Sequence, residues 1–275
     1  GTERAHGLKR RFKKFLVSLF DAALVGGQPQ KRHFTDLGLP AARIFTGYDA
    51  VDNAIFERNA SLARADRDTH LHRLGLPQRY FLSLGRFVKK KNLPSLIRAY
   101  AEFCSLSNEP VALVLVGSGA EEAVLRDLVT VLGLALHNQQ PGQAPSASPP
   151  ESSAVYFMGF RQMDENPIFY ALAEAFILPS IEEEWGLVVN EAMACGLPVV
   201  VSKAVGCAED LVEHGSNGWL FEPDDVSALA DNLVRLAEHV ALRQAMGEAS
   251  KARIADWDCP NFATNALSAL CTLTR

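Results

Sequence analysis

The sequence predicts an α/β protein built on a parallel β-sheet with helices on both faces. Two observations predict this class. From Tyr80 onwards, continuous apolar runs alternate with segments long enough for helices, and runs without polar alternation are typical of strands buried on both sides. Each run also ends in Gly, Pro or Ser, and the runs are YFLSLG, VALVLVG, AVYFMG, AFILPS and LPVVVS. Such sheets bind ligands beyond the carboxyl ends of their strands, so the residues after each run are the candidate functional residues.

The first part of the chain predicts shorter elements. Phe12, Phe15, Leu16 and Leu19 recur at helical spacing, with basic residues on the other face. The runs AALVGG and ARIFTG are typical of strands, and QKRHFTDLGLP between them is typical of a helix ended by glycine and proline. The polar stretch 53–73 is expected to be a linker or an exposed helix.

Helices are also predicted between the later runs and at the end of the chain. The segments of helical length are NLPSLIRAYAEFC, AEEAVLRDLVTVLG and DENPIFYALAE. Residues 137–153 are rich in Pro, Ser, Gln and Ala, so we expect a flexible insertion there. Two helical stretches close the sequence, the first broken near His239 and the second formed by NFATNALSALCTL.

Composition argues against some classes of protein. The formal net charge of -5 disfavours nucleic acid as a partner. Five cysteines, an odd number without a C-x-x-C pair, fit a reduced cytoplasmic protein better than a disulfide framework or a zinc site. No apolar run approaches the roughly 20 residues that span a bilayer. The helix pattern begins at once, without a conventional start, so we expect a fragment of a longer chain.

The basic start of the chain has two interpretations. Its cations, opposite the apolar face of the first predicted helix, are Lys9, Arg10, Arg11, Lys13 and Lys14. Such a helix can lie on an anionic bilayer, which would give peripheral contact with the inner face of the membrane. The simpler interpretation is a helix whose apolar face packs in a core and whose basic side is solvated.

The segment GRFVKKKN, residues 85–92, follows the first run. Arg86 comes just after the strand, and Lys91 precedes the predicted start of a helix at Asn92. Fixed cations beside the free N–H groups of a helix start suit a phosphate. Taken alone, the segment is explained more simply as a solvated basic turn.

Two further segments carry weak signals. GSGAEE after the second run begins like a dinucleotide fingerprint, but Glu122 stands where its third glycine would be. We interpret Gly117 and Gly119 as a tight turn that still lets a ligand approach the backbone. Asp66 and Asp68 form D-x-D, which can hold a metal, but a solvated helix face explains them better. We therefore expect no metal site.

The segment EEEWGLVVNEAMACG, residues 182–196, carries the strongest signal. Glu182–Glu184 lie in a loop ahead of a helix predicted from Gly186 to Cys195. The helix dipole favours acids there, which explains this loop without a ligand. It does not explain Glu191, which lies between LVVN and AMA and needs a partner in so apolar a setting. An ionised carboxylate only accepts hydrogen bonds, and its two oxygens match a vicinal diol such as a ribose edge.

The acidic segment and the strand ends together resemble a known family. Glu183 and Glu191 are separated by seven residues in E-x-W-G-L-V-V-x-E-A-M-A-C-G-L-P-V-V, which resembles an E-x7-E motif. GRFVKKKN resembles a phosphate-binding G-R-x4-K segment, and LVLVGSG, VYFMGF, AFILPS and GSNGWLFEP follow in the family's order. The family is glycosyltransferase family 4 (group 1), the retaining sugar transferases of GT-B fold. The resemblance covers about Tyr80 to Asp225, mainly the C-terminal donor-binding domain.

The resemblance implies roles for individual residues. Arg86 and Lys91 would bind the diphosphate of a nucleotide-diphosphate sugar and stabilise the charge on the leaving nucleotide. Glu183 would hydrogen-bond hydroxyls of the donor sugar, and these three are the expected catalytic residues. Glu191 would hold the ribose hydroxyls. The other expected substrate-binding residues are Gly85, Gly117, Gly119, Phe157, Gly159, Phe160, Glu184, Trp185, Gly186 and Leu187.

The resemblance also implies a domain organisation. Family members have two Rossmann-like domains, with the site in the cleft between them. We expect residues 1–52 to be a remnant of the N-terminal, acceptor-side domain and residues 53–78 to be a linker. Residues 79–255 would form the donor-binding Rossmann-like domain, and 256–275 a helix that packs back on the N-terminal domain.

The implied activity is that of a hexosyltransferase. A sugar would pass from a nucleotide-diphosphate donor to a sugar or lipid-linked acceptor, with retention of configuration, in polysaccharide or glycolipid biosynthesis. We expect no cofactor besides the donor, and a cytoplasmic site of action. The alternative is a nucleotide-sugar-binding module without turnover. An epimerase or phosphorylase of the same fold is disfavoured by the E-x7-E context.

Overall fold

The structure of the protein, a computed structural model, describes residues 2–143 and 153–272. These residues fall into two units, one formed by the chain up to Asp52 and from Asp256 onwards, the other by Asn53–Ala255. Much of the insertion expected at 137–153 lies outside the described residues. The first residues of that segment end a β-strand, Ala135–Asn138, so the expected loop begins later than predicted.

Within these ranges the helices and strands follow the predicted alternation. The helices are α1 (Thr2–Val17), α2 (Gln28–Asp36), α3 (Asn53–Ala65), α4 (Arg67–Leu74), α5 (Leu93–Leu106), α6 (Glu122–Val131), α7 (Asn166–Leu172), α8 (Leu187–Ala194), α9 (Ala208–Leu211), α10 (Val226–Glu238), α11 (Val240–Ile254) and α12 (Cys259–Cys271). The strands are β1 (Ala23–Leu24), β2 (Ile44–Phe45), β3 (Tyr80–Leu84), β4 (Ala112–Val116), β5 (Ala135–Asn138), β6 (Ala154–Phe157), β7 (Ala175–Leu178), β8 (Val199–Ser202) and β9 (Gly218–Phe221).

The smaller unit is organised around a short parallel strand pair. β1 pairs with β2, and α12 packs against both strands. Its apolar core is formed by Val17, Val25, Leu37, Leu39 and Ile44. Helix α2 ends where glycine and proline predict, because Gly38 adopts a φ of 110°, which favours glycine.

The larger unit is organised around a sheet that the described residues form from seven parallel strands, in the order β5-β6-β4-β3-β7-β8-β9. Alternate strand residues, among them Phe81, Leu113 and Leu115, pack with α5, α6 and α10 in one apolar core. α7 and α8 contact the strands from the other helix layer, in which α3 packs on α7 and α8, and α11 packs on α8. A parallel sheet between two helix layers confirms the predicted α/β class.

Three parts of the larger unit differ from the sequence expectations. Residues 53–78, expected as a linker, form α3 and α4, and Phe56, Ala60 and Leu71 on these helices are buried. β5 was not predicted, because it is a half-buried edge strand that runs into polar residues. β9 was not predicted from GSNGWLFEP, because the first residue of the strand is a glycine. No helix in the described ranges is long and apolar enough to cross a membrane.

Candidate functional site

The strand order places two candidate loops side by side. β3 lies between β4 and β7, with β6 and β5 beyond β4 and β8 and β9 beyond β7, so the order reverses direction between β3 and β7. Open parallel sheets bind ligands at such a switch point, in the crevice outside the carboxyl ends of the strands. Residues 85–91 leave β3 at this point, and residues 179–184 leave β7.

Lys91 and Glu183 meet at the switch point. The Lys91 Nζ donates to Oε2 of Glu183, and the two side chains are only 12% and 16% exposed. Lys91 belongs to the turn Lys89–Lys91, and its stem packs against Gly85, whose φ of 150° favours glycine. Because a partly buried charge needs a partner, each of these groups holds the other in the crevice.

Arg86 brings a second cation to the same place. It lies just beyond β3, is exposed, and lines one small cavity together with Lys91, Gly85, Leu178 and Pro179. Two cations therefore converge where the carboxyl ends of β3 and β7 lie side by side. This arrangement suits an anionic ligand with more than one charged oxygen.

Gly117 and Gly119 have a packing role that the sequence analysis did not identify. A Cβ on Gly117 would lie 1.9 Å from the carbonyl oxygen of Gly85, and one on Gly119 would lie 2.3 Å from the carbonyl oxygen of Phe87. Phe87 N also donates to the carbonyl of Ser118 at 2.8 Å. The turn after β4 therefore fits closely against the turn after β3, which positions Arg86.

The segment after β6 divides into a buried and an accessible part. Phe157 is fully buried in the core, and its carbonyl accepts a hydrogen bond from Gln139 N at 2.9 Å. Its side chain and carbonyl are therefore engaged within the protein, contrary to the expected substrate contact. Gly159 is also buried, and its carbonyl accepts from Gly117 N at 2.8 Å, whereas Phe160 is 60% exposed.

The acidic loop is held by a segment that sequence reasoning missed. Gly206 N donates to the carbonyl of Glu183 at 2.9 Å, and a Cβ on Gly206 would lie 1.9 Å from the carbonyl oxygen of Glu184. The sequence signal was a glycine two to four residues after a buried strand, in the segment VSKAVGC. Glu184 itself is exposed. The backbone of the acidic loop is thus fixed from the carboxyl side of β8.

Helix α8 begins at the end of this loop. Gly186 is its N-cap residue with a φ of 101°, and the exposed Leu187 begins the helix. Trp185 is buried, and its indole Nε1 donates to Oδ1 of Asn190 at 3.0 Å. Trp185 therefore anchors the entry into α8 through its side chain, and its carbonyl accepts a further hydrogen bond from Cys207 N at 3.0 Å.

Glu191 has the partner that its apolar setting required. The Tyr170 hydroxyl on α7 donates to Oε2 of Glu191 at 2.8 Å. Burial raises the pKa of Glu191, and the hydrogen bond from Tyr170 opposes part of that rise. Tyr170 was not identified from the sequence, because an aromatic residue in an apolar helix does not reveal its acceptor. One carboxylate oxygen is occupied, so a diol would share Oε2 or bind mainly to Oε1.

The aspartates of the D-x-D pattern lie on a solvated helix. Asp66 is the N-cap residue of α4, and both Asp66 and Asp68 are exposed. Across residues 2–143 and 153–272, no group of three or more His, Cys, Asp or Glu side chains could hold a metal ion.

Known proteins of similar sequence are sugar transferases or related synthases. N-acetyl-alpha-D-glucosaminyl L-malate synthase of Bacillus anthracis is 25% identical over 217 residues, which are 78% of this chain and 50% of that protein. A D-inositol 3-phosphate glycosyltransferase of Thermomonospora curvata is 30% identical over 253 residues, which are 86% of this chain and 54% of that protein. The chain therefore spans about half the length of these curated relatives.

Solved structures share the architecture. Anabaena HepE, crystallised in complex with UDP, superposes with a TM-score of 0.69 at 25% identity, covering 92% of this chain and 64% of HepE. The C-terminal domain of the glycosyl transferase group 1 family protein LpcC of Francisella tularensis superposes with a TM-score of 0.59 at 21% identity. That match covers 76% of this chain and 99% of the LpcC domain, and it shows a shared fold.

The family model described as glycosyl transferases group 1 matches residues 66–253, well over half of the chain. The matched region includes β3 to β9 and every residue described above at the carboxyl ends of these strands. The chain therefore belongs to the group 1 glycosyl transferases, and the larger unit has the fold of their C-terminal domain.

Proposed function

We propose that this chain is chiefly the donor-binding half of a retaining glycosyltransferase that uses a nucleotide-diphosphate sugar. The observation that carries the proposal is the ion pair between Lys91 and Glu183 at the switch point, with Arg86 beside it. A diphosphate needs cations, and a sugar needs a hydrogen-bond acceptor beside it. The two sides of the crevice supply these groups at one place.

The proposed roles are those that the family resemblance implies, and the position of each side chain supports them. Arg86 and Lys91 bind the diphosphate and stabilise the negative charge that develops on the leaving nucleotide. Glu183, released from Lys91 when the diphosphate arrives, accepts hydrogen bonds from hydroxyls of the donor sugar. Glu191 accepts from the ribose hydroxyls. The N-terminus of α8, at Gly186, adds free N–H groups that favour an anionic oxygen.

The substrate classes are proposed from the family and its named members. HepE structures contain UDP and UDP-glucose, and other relatives are named for transfer to inositol phosphate or to a lipid-linked acceptor. We propose a hexosyl donor and a sugar or lipid-linked acceptor, in polysaccharide or glycolipid biosynthesis. The proposed cations of the site are Arg86 and Lys91, so dialysis against EDTA should leave donor binding unchanged.

The setting of the reaction is proposed from charge and exposure. The scattered cysteines fit the cytoplasm, and the net charge of -5 disfavours nucleic acid as a partner. On α1, Phe12, Phe15 and Leu16 are exposed beside several cations, which supports contact with the inner face of a membrane.

A second candidate function is binding of the nucleotide sugar without turnover. It is favoured by the position of the proposed donor groups, which all lie in the larger unit, whereas the acceptor side of a family member lies in the other domain. Release of free nucleotide diphosphate on addition of acceptors would distinguish the two. Sustained release means transfer, whereas binding without release means a donor-binding module.

The experiment that tests the proposal is calorimetric titration of the chain with UDP, GDP and ADP. Wild type is expected to bind one of the three, and Glu191→Ala is expected to lose most of that affinity. Glu238→Ala, at an exposed position at the end of α10, is the matched control and should bind like wild type. A wild-type chain that binds none of the three diphosphates would contradict the proposal for this chain.

A further inference from the structure

Asn92 has an unusual backbone conformation next to Lys91. Among the described residues it is the only one other than glycine with a positive φ, at φ 53° and ψ 34°. This left-handed conformation is unfavourable for most residues, and asparagine is among the few that tolerate it. Such conformations persist where the surroundings fix them. The surroundings of Asn92 therefore indicate what holds the turn.

The Asn92 side chain does not cap its helix. Asn92 is the N-cap residue of α5, where an asparagine oxygen ordinarily accepts from an N–H of the first helical turn. Here the side chain makes no such bond, and Ser95 N instead donates to the backbone carbonyl of Asn92 at 3.1 Å. Helix capping therefore does not explain why asparagine occupies this position.

The Asn92 amide instead joins three segments. Its Nδ2 donates to the carbonyl of Pro179 at 3.1 Å and to the carbonyl of Pro223 at 2.8 Å. Its Oδ1 accepts from the Ser95 hydroxyl at 2.9 Å. Both N–H groups and the oxygen of the Asn92 amide therefore make hydrogen bonds, so this position suits an asparagine side chain. Pro179 follows β7 and Pro223 follows β9, whereas Asn92 follows β3.

The same contact region fixes the two ends of the Lys91–Glu183 pair. Ile181 N donates to the carbonyl of Lys90 at 2.9 Å, so the turn that carries Lys91 is bound to the loop that leads to Glu183. Asn92 adds the second connection between the same two segments through Pro179. Without the Asn92 side chain, the backbone bond at Ile181 and the Lys91–Glu183 ion pair would have to hold the two loops together.

We propose that Asn92 is a positioning residue for the diphosphate site, which holds the Lys91 turn and the Glu183 loop at the separation that the donor requires. This inference rests on the proposed function and names a residue outside its direct contacts. Glycine could adopt the same backbone but would leave the carbonyls of Pro179 and Pro223 without their donor. Aspartate is nearly isosteric, but its carboxylate would face these carbonyls without an N–H to offer.

The proposal predicts an effect confined to the diphosphate. Glu191, the proposed ribose ligand, is held by Tyr170 on α7 and has no contact with Asn92 among the described bonds. Asn92→Gly should therefore weaken binding of the diphosphate that wild type binds by about tenfold, the equivalent of one to two net hydrogen bonds. Binding of the corresponding nucleoside, measured by ligand-detected NMR, should not change.

Asn92→Asp and Ser95→Ala complete the series of variants. Asn92→Asp should weaken diphosphate binding more than Asn92→Gly, because it adds repulsion to the lost donors. Ser95→Ala keeps both hydrogen bonds that the Asn92 amide donates and removes only the bond that its oxygen accepts. This variant should therefore bind diphosphate within about twofold of wild type. Equal losses for nucleoside and diphosphate in Asn92→Gly, or no loss at all, would overturn the proposal.

A second measurement does not depend on any nucleotide. Hydrogen exchange of the Ile181 amide, which is bonded to Lys90, should be at least several-fold faster in Asn92→Gly, while the amide of Leu113 in the central strand β4 should keep its rate. An unchanged Ile181 rate would overturn the positioning role even if wild type binds diphosphate. A wild-type chain that binds no diphosphate contradicts the proposed function, and the Ile181 rate still decides whether Asn92 holds the two loops.

Discussion

Lys91 and Glu183 lie 92 positions apart in the sequence and form an ion pair between the loops that follow neighbouring strands. The pair joins a cation suited to a diphosphate with an acid suited to sugar hydroxyls. Each neutralises the other, so neither charge is left unpaired in a partly buried crevice. Under the proposed function, donor binding would exchange one partner of each charge for another.

The first prediction concerns Lys91. Lys91→Ala should weaken diphosphate binding by at least about tenfold, because a charge-assisted hydrogen bond contributes roughly 1.5–3 kcal/mol. Lys89→Ala, on the same turn but exposed, is the matched control and should bind within about twofold of wild type, as expected for a solvated charge. Calorimetric titration measures both. Equal losses in the two variants would mean that only the general charge of the turn matters.

The second prediction concerns the pH dependence of stability at Glu191. Burial raises the pKa of this carboxyl above its ordinary value of 4.5, so ionised Glu191 is disfavoured in the folded state. The folded protein therefore carries a stability cost above the raised pKa, and this cost disappears as the pH falls below 4.5. Glu191→Gln removes the charge and keeps an acceptor for Tyr170.

Glu191→Gln should accordingly melt at a higher temperature than wild type at pH 7. The difference should shrink as the pH is lowered through the acidic range, because wild-type Glu191 then becomes protonated. Thermal unfolding followed by circular dichroism at a series of pH values measures this, with Glu238→Gln as an exposed control that should show no such trend. A difference that stays constant with pH would refute the role of burial.

The third prediction concerns the close approach of the turns after β3 and β4. Gly117→Ala should reduce the free energy of unfolding by several kcal/mol or prevent folding, because its Cβ would lie 1.9 Å from the carbonyl oxygen of Gly85. Gly133→Ala is the matched control, since Gly133 also has a positive φ but has nothing within 4 Å of its added Cβ. That variant should lose only about 1–2 kcal/mol from its backbone conformation. Urea unfolding compares the two, and similar losses would show that steric contact is unimportant.

The fourth prediction concerns α1. If its exposed face binds the membrane, the chain should sediment with vesicles of anionic lipid at low salt and be released at high salt. Phe12→Glu combined with Phe15→Glu should abolish this binding. Val124→Glu combined with Val131→Glu places the same charge at exposed apolar positions outside α1 and should leave binding intact. Absence of salt-sensitive sedimentation in wild type would favour the simpler interpretation, a core-facing helix.

Much of the larger unit could be predicted because its strands and helices are indicated by residues that lie close together in the sequence. Strands β3, β4, β6, β7 and β8 are largely apolar and buried, and the polar residues that follow them lie at their carboxyl ends by topology alone. The family resemblance then assigned Lys91 and Glu183 to one site without knowledge of their contact. The structure adds that they are paired to each other, which depends on which strands are neighbours.

The parts that could not be predicted depend on distant partners. Tyr170 is a site residue only because α7 lies against α8. Asn92 resembles an ordinary helix cap in the sequence, and its actual partners, Pro179 and Pro223, are 87 and 131 positions away. Phe157 was expected to contact substrate because the motif identifies a whole segment. Which residues of that segment are buried depends on how each one packs in the fold.

The position of β3 between β4 and β7 has a consequence for how the chain folds. β4 is the next strand in the chain after β3, but three strands, β4, β5 and β6, lie between β3 and β7, and such non-local parallel pairing forms slowly. During synthesis the edge of β3 that later receives β7 stays unpaired and apolar, which invites aggregation. The proposed diphosphate site takes groups from both sides of that edge, so affinity for the diphosphate should develop only after β7 has docked.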